Sequence, residues 1–281
     1  MVLRGQLRGR VGSRRDYLAE GPLRVTLERA FSYFHAASFD SNSVISTLNL
    51  SVKYRMSTAN ILPRVHIGEV VRNAVIFKPG NGQEHPMNSD LLIETVARFF
   101  ALLREREIEY VLVGGIALLQ YVEGRNTEDI DLIMALSSLE RIPELVVESR
   151  DADFVRGNFS DLRVDVLLTS NPLFDEVRRR YTTTQRFVEQ DIPCGTVEGL
   201  ILLKLYALPS LYRQGDFTRV GLYENDIATL LQVHNPPVEP LLAELTSYLS
   251  ENDMAEVKQI IGEIQRRISR FEERSEDGGS K

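Results

Sequence analysis

Three short aliphatic runs place acids or paired glycines where a buried strand ordinarily has neither, and this restricts the chain more than any other feature. Tyr110 to Gly115 reads YVLVGG, Asp129 to Met134 reads DIDLIM, and Arg163 to Leu168 reads RVDVLL. Runs of this length and β-branched content form strands. Alternate residues of a strand point to one side, so Asp129 and Asp131 face the same way. They alternate with Ile130, Leu132 and Ile133, and Asp165 is flanked by Val164 and Val166. Any one of these acids could be a solvated strand end or half of a salt bridge. Two aligned carboxylates, however, repel and have raised pKa values unless a cation offsets them. With a third from a neighbouring strand they suit hard divalent cations bound through oxygen. Paired metals held this way clamp the attacking and leaving oxygens of phosphoryl or nucleotidyl transfer.

The glycines add a second element. A strand that runs into Gly114-Gly115 and then a helix sets backbone amides and the positive end of a helix dipole beside the turn, where phosphate binds. Glycine also allows close approach of a triphosphate. The chain has no GxxxxGK[ST] phosphate loop.

Composition narrows the class. The chain has 281 residues, 43% of them hydrophobic, enough for one large domain or two small ones. No run approaches the ~18 apolar residues that a membrane span needs. Cys194 is the single cysteine, so no intrachain disulfide forms, and His35, His66, His85 and His234 lack zinc-ligand spacing. A reducing, cytoplasmic setting is the expectation. The net charge of −7 divides unevenly: residues 1–86 carry 12 Lys+Arg against 6 Asp+Glu, and the remainder carries 21 against 34. The acidic part argues against a broad electrostatic grip on nucleic acid.

The expected organisation is an α/β (α+β) chain in four parts. Residues 1–86 read as a poorly ordered or non-native extension, with a basic targeting peptide as the other reading. Val70 to Phe77 is a candidate strand within it. Residues 87–192 read as a mixed-sheet core, 193–274 as a helical module, and 275–281 as a disordered tail. In the core, Asn88 or Ser89 is expected to cap a helix through Leu103. Further helices are expected from Gly115 to Val122 and from Ser137 or Ser138 through Leu145 and Val146. Phe154 to Arg156 reads as a strand followed by a Gly157-Asn158 turn, Pro172 to Tyr181 as a helix and Arg186 to Glu189 as extended. In the helical module, Thr196 caps a helix ending near Pro209. Leu222 to Val233, Val238 to Leu249 and Met254 to Phe271 follow as helices, the last with an apolar stripe.

Gly-Gly, thirteen intervening residues (116–128), Asp-Ile-Asp and a later-strand Asp165 together resemble the DNA polymerase β-type nucleotidyltransferase superfamily. The string VGGIALLQYVEGRNTEDIDLI is similar to its minimal prokaryotic branch, which includes the abortive-infection type IV (AbiEii-like) toxins. The resemblance spans roughly Leu91 to Leu231. It implies a nucleotidyltransferase core with two Mg²⁺ ions, or Mn²⁺ in their place. Asp129 and Asp131 would hold both metals, and Asp165 would complete the site and help deprotonate the attacking hydroxyl. Asp161 competes for that third role but reads as a loop acid. VEGLILLKLYAL is similar to the family helix whose lysine reaches the triphosphate, here Lys204. A surface lysine is the plain alternative, although an unpaired ammonium among leucines is costly. Tyr223 to Ile227 resembles a following K-D-x-x-D-I segment and keeps only its final Asp226-Ile227. Asp226 therefore stands as a nucleotide-site residue or as a helix cap. Thr127 and Arg125, in the loop entering the metal strand, are candidates for phosphate contact, with Gly114 and Gly115 as the cradle. Tyr121 reads as packing, and Arg178 to Arg180 as a solvated face. The implied partners are an NTP and a hydroxyl acceptor (a tRNA 3′ end, a partner protein or a small molecule such as an aminoglycoside), and in a toxin–antitoxin setting a cognate antitoxin. No membrane partner is expected. The alternatives are a non-catalytic binding or antitoxin protein on the same fold, and hydrolysis of a phosphodiester.

Overall fold

The strand-forming runs pair into one mixed sheet. Its strands are β1 (Val111–Val113), β2 (Asp129–Met134), β3 (Leu145–Arg150), β4 (Phe154–Phe159), β5 (Leu162–Leu168), β6 (Thr182–Arg186) and β7 (Asp191–Gly195). They lie in the order β3-β4-β5-β2-β1-β7-β6. β2 runs parallel to β5 and antiparallel to β1, and β1 runs parallel to β7. This computed structural model describes residues 64–76, 89–123 and 127–278, without the side chains of 75, 76, 89, 90 and 274–278. All belong to one compact unit, Leu62–Lys281. The readings placed on residues 1–63 and 77–88, the Asn88 cap and Arg125 lie outside the described residues.

Period-two burial separates the two faces of the sheet. Along β5, Leu162, Val164, Val166 and Leu168 are buried while Arg163, Asp165 and Leu167 are only half-buried. Helix α2 (Ser89–Glu105) covers the apolar face. Its Phe99 ring lies 5.0 Å from Phe159 of β4, and Val96, Phe99, Phe100 and Leu103 are fully buried. On the other face, Phe154 of β4 packs edge-on against Phe174 of α5 (Pro172–Arg180), and Phe174 against Tyr206 of α6 (Val197–Gln214). That is the side on which Arg156, two residues from Phe154, also emerges.

Three local expectations are corrected. Val70 to Phe77 was expected to be extended, but α1 (Ile67–Ile76) is a helix. Ile67, Val71 and Ala74 recur at helical spacing and are its buried hydrophobic residues among the described side chains. Glu189 accepts from the first amides, Ile67 N at 3.3 Å and Gly68 N at 3.0 Å, and its carboxylate also pairs with His66. A Cβ added at Gly68 would come within 2.9 Å of Ile93 Cα, so α1 and α2 approach backbone to backbone. The packed unit therefore reaches upstream of Met87. Second, the helix expected through Leu145 and Val146 stops after one turn, at α4 (Leu136–Leu139), and Leu145 opens edge strand β3. Pro143 closes off the helix, and the β-branched Val146-Val147 pair favours extension. β3 carries a bulge between Val147 and Ser149. Third, Gly157-Asn158 is not a turn. β4 runs through it to Phe159, and the two-residue turn is Ser160-Asp161, with Ser160 at φ 55°. Gly157 serves close approach instead, since a Cβ there would meet the Val146 carbonyl oxygen at 2.6 Å.

The diglycine helix is also shorter than expected, α3 (Gly114–Leu118) followed by turns to Tyr121. After β7 the chain is helical: α6, α7 (Phe217–His234), α8 (Val238–Leu245) and α9 (Glu251–Gly278). Thr196 caps α6 as expected, accepting from Gly199 N at 3.3 Å. The helix does not end near Pro209. It carries that residue inside it and closes at Gly215, φ 69°. α9 runs through Ser275 to Gly278, into the stretch read as a tail. No described helix is long and apolar enough to cross a membrane.

Candidate functional site

Strand register brings the predicted acids together. Asp131 pairs with Asp165 across β2 and β5, and with Val113 across β1 and β2. Asp129 pairs with Arg163, two residues before Asp165. Residues in register project to the same face, so Asp129, Asp131, Arg163 and Asp165 form one patch on the side where α5 and α6 stand. The antiparallel β4–β5 hairpin places Arg156 opposite Asp165. One row across the sheet reads Arg156, Asp165, Asp131, and the next reads Asn158, Arg163, Asp129.

Each acid has its own environment. Asp165 is held by Arg156 in a two-pronged ion pair, Nε to Oδ1 and Nη2 to Oδ2, both 2.9 Å. This geometry is among the strongest that a guanidinium offers, and it raises the pKa of Arg156 above the usual value. Arg163 stands between two acids without hydrogen-bonding either through Nε, which lies 3.8 Å from Asp129 Oδ1 and 3.9 Å from Asp165 Oδ1. That Nε is buried and has no hydrogen-bond partner. Burial raises the pKa of Asp129, partly offset by Arg163 and reinforced by Asp165. Asp131 is pushed furthest, to about 7. Burial is the first cause, and the charges of Asp165 and Asp129 follow; Lys204 and the Gly115 amide act the other way.

The diglycine turn is shaped around Asp131. Gly114 has φ 65°, and a Cβ there would fall on the Asp131 carboxylate. A Cβ at Gly115 would come within 2.7 Å of Thr127 Cβ. A Cβ at either glycine would thus collide with a protein group, and a hydrogen bond from the Gly115 amide acts to lower the pKa of Asp131. Thr127, in the loop just before β2, donates to the Asp129 carbonyl at 3.4 Å.

Lys204 and Asp226 form a buried ion pair, Nζ to Oδ2 2.8 Å, with side chains 6% and 4% exposed. The ring of Tyr223 lies 4.3 Å from the ammonium. Asp226 sits inside α7, whose cap is Asp216, so the cap reading of Asp226 is corrected. Asp161 is exposed in the hairpin turn. Tyr121 donates to the Gly195 carbonyl at 2.9 Å, consistent with packing. Arg178, Arg179 and Arg180 pair with Asp175 and Glu176 of their own helix. A surface groove lined by Leu231, Asn235, Val238 and Ile268 contains none of the predicted site residues.

Metal fit is partial. Asp129 and Asp131 present carboxylates on one face, and the electrostatic cost at Asp131 is of the kind a cation relieves. Both oxygens of Asp165 are engaged by Arg156. Among the described residues, no three His, Cys, Asp or Glu side chains stand ready as a metal cage.

No family model matches the chain, and no curated protein matches it. Solved structures do. An antigenic nucleotidyltransferase-like protein from Paracoccidioides brasiliensis is 16% identical, with 59% of this chain and 91% of that one aligned at a TM-score of 0.39. The antibiotic-resistance factor ANT(2'')-Ia in solution is 14% identical over 66% of this chain and 96% of its own, also at 0.39. The same factor in complex with adenylyl-2''-tobramycin is 12% identical over 59% and 96%, again at 0.39.

Two residues of the patch escaped sequence reasoning, Arg156 and Arg163. Arg163 was legible as the residue two before Asp165 on the same strand. Arg156 required the position of the hairpin turn.

Proposed function

We propose that the chain is a divalent-cation-dependent nucleotidyltransferase that moves a nucleoside monophosphate from an NTP to a hydroxyl. The observation that carries this reading is the register of Asp129 and Asp131 on β2 with Asp165 on β5, three carboxylates on one sheet face. Asp129 and Asp131 would hold the cation, which supplies charge compensation for the phosphate oxygens. Asp165, once released from Arg156, would accept the proton of the acceptor hydroxyl. Lys204, within electrostatic reach of Asp131, adds positive potential where a triphosphate would lie. The acceptor remains a class: a tRNA 3′ end, a protein side chain or a small molecule. The −13 balance of residues 87–281 weighs against tRNA. A toxin role with a cognate antitoxin rests on the sequence resemblance alone.

The test is incubation of the full chain with labelled NTPs, Mg²⁺ and each acceptor class. Wild type is expected to label one class, and Asp129→Ala to lower the rate by about a thousandfold. Equal labelling by both proteins excludes the mechanism. The closed Arg156–Asp165 pair favours a second reading, a binding protein that retains the fold without turnover. Calorimetry separates the two, because that reading expects no Mg²⁺-dependent NTP binding.

A further inference from the structure

The last helix outruns the helices that cover it. Met254, Val257, Ile261, Ile264, Ile268 and Phe271 recur at alternating steps of three and four residues and form one stripe along α9. α9 packs against α6, α7 and α8, and the first four residues of the stripe are buried. Ile268 is half-buried, and Phe271 keeps 63% of its surface open. An apolar stripe that continues past its own core calls for a second surface to cover its end.

Beside Ile268 lies the groove between α9, the end of α7 and the start of α8. Its apolar lining is Leu231, Pro236, Val238 and Ile268, and its charged lining residue is Glu272. The end of α7 also borders it, where Asn235 closes the helix at φ 44° and the last carbonyls carry partial negative charge. An occupant suited to this lining is apolar and flanked by cations. α9 itself presents such a group: Phe271 has the exposed Arg267 one turn before it and the exposed Arg270 beside it.

Knob and groove lie on the same few turns of one helix, and their charges match. Arg267 and Glu272 are five residues apart, so within one helix they stand on different flanks and do not meet. A two-fold axis crossing α9 midway between Ile268 and Phe271 sets each Phe271 against the other copy's Ile268 and groove. The same operation brings each Arg267 level with the other copy's Glu272, because those two positions are symmetric about the same point. That is the self-complementary patch of an isologous interface. We infer that a second copy of this chain fills the groove, in an antiparallel pairing of α9 helices anchored by Phe271. The patch takes about two turns of α9 from each copy, less than an obligate interface uses, so the pairing is concentration-dependent. It is independent of the chemistry proposed above, and acceptor labelling does not bear on it.

Sedimentation velocity of the full chain, at concentrations up to about 200 μM, tests the pairing, with circular dichroism to verify folding. Wild type is expected to pass from monomer to dimer as concentration rises. Phe271→Asp is expected to weaken the dimer by about tenfold or more, as loss of a buried aromatic anchor does. Arg267→Glu sets like charges against each other twice and is expected to weaken it by about threefold or more, and Arg267→Glu/Glu272→Arg to regain most of that loss. Phe271, Arg267 and Glu272 are exposed in the single chain, so these changes leave the fold intact. A wild type that stays monomeric overturns the inference and gives the groove a different occupant. A dimer indifferent to Phe271→Asp, or a reversed charge pair that regains nothing, places the contact elsewhere and overturns it too.

Discussion

At the scale of single residues, Asp131 bears a large electrostatic cost. Its folded pKa, about 7, stands above the ordinary carboxylate value of 3.8. The folded state then holds a proton that the unfolded chain releases, so Asp131 contributes stability that is present below the unfolded pKa and lost as pH rises through about 7. In metal-free protein the melting temperature should fall between about pH 5 and about pH 8, and Asp131→Asn should flatten that fall. A melt series in chelator checks both, and a wild-type profile that rises over this range would contradict the environment described. Lys204 and Asp226 present the opposite case, two buried charges that pair with each other. Lys204→Met should cost about 3–5 kcal/mol by removing one partner of that buried pair, while Lys204→Met/Asp226→Leu should recover part of that in denaturant unfolding. If the double variant is stable yet no longer transfers nucleotide, the pair's role is functional as well as structural.

At the scale of elements, the glycines divide into those the fold requires and those it tolerates. Gly114→Ala should destabilise the protein and disturb Asp131, because it combines a positive φ with a Cβ on the carboxylate. Gly221 in α7 and Gly262 in α9 have no atom within 4 Å of a built Cβ. Alanine at each should stabilise by up to about 1 kcal/mol, raising the melting temperature by about 2–4 °C per site. The same division governs what was readable in the chain. Gly114-Gly115, DIDLIM and RVDVLL were legible because period-two alternation and a strand-ending glycine pair are local signals. The α9 stripe was legible because 3.6-residue periodicity persists over many turns. α1 was misread because Val70, Val71 and Val75 suggest extension, and only packing on α2 selects the helix. β3 was misread because a serine pair before a leucine resembles a cap. The turn lies at Ser160-Asp161 and not at Gly157-Asn158, and counting back from it sets Arg156 opposite Asp165; the guanidinium becomes legible only once that turn is known. A glycine needed for strand approach and a glycine needed for a turn are identical in sequence.

At the scale of the whole molecule, the sheet and the helices that follow it melt as one or separately, and the lone cysteine reports which. Cys194 lies in β7, fully buried, with its thiol pushed up to about 12 by burial. Thiol reagents should leave it unmodified in the native protein and label it at a rate set by opening of the sheet. Mg²⁺ with NTP should slow that labelling if nucleotide binds the folded state. Fast labelling of the native chain at neutral pH would contradict the packing of β7 against β1.

The bulge in β3 has a consequence for how the molecule tolerates crowding by its own kind. β3 is an outer strand, and Val146 and Val147 show 66% and 47% of their surface. A straight border of that composition invites another chain to add a strand. The break in pairing at Val147/Ser149 twists the border partway along, so an incoming strand that matched one half would be out of step with the other. Removing Glu148 would straighten that border, and two copies should then pair edge to edge through β3, which gel filtration of a Phe271→Asp chain would show as a dimer.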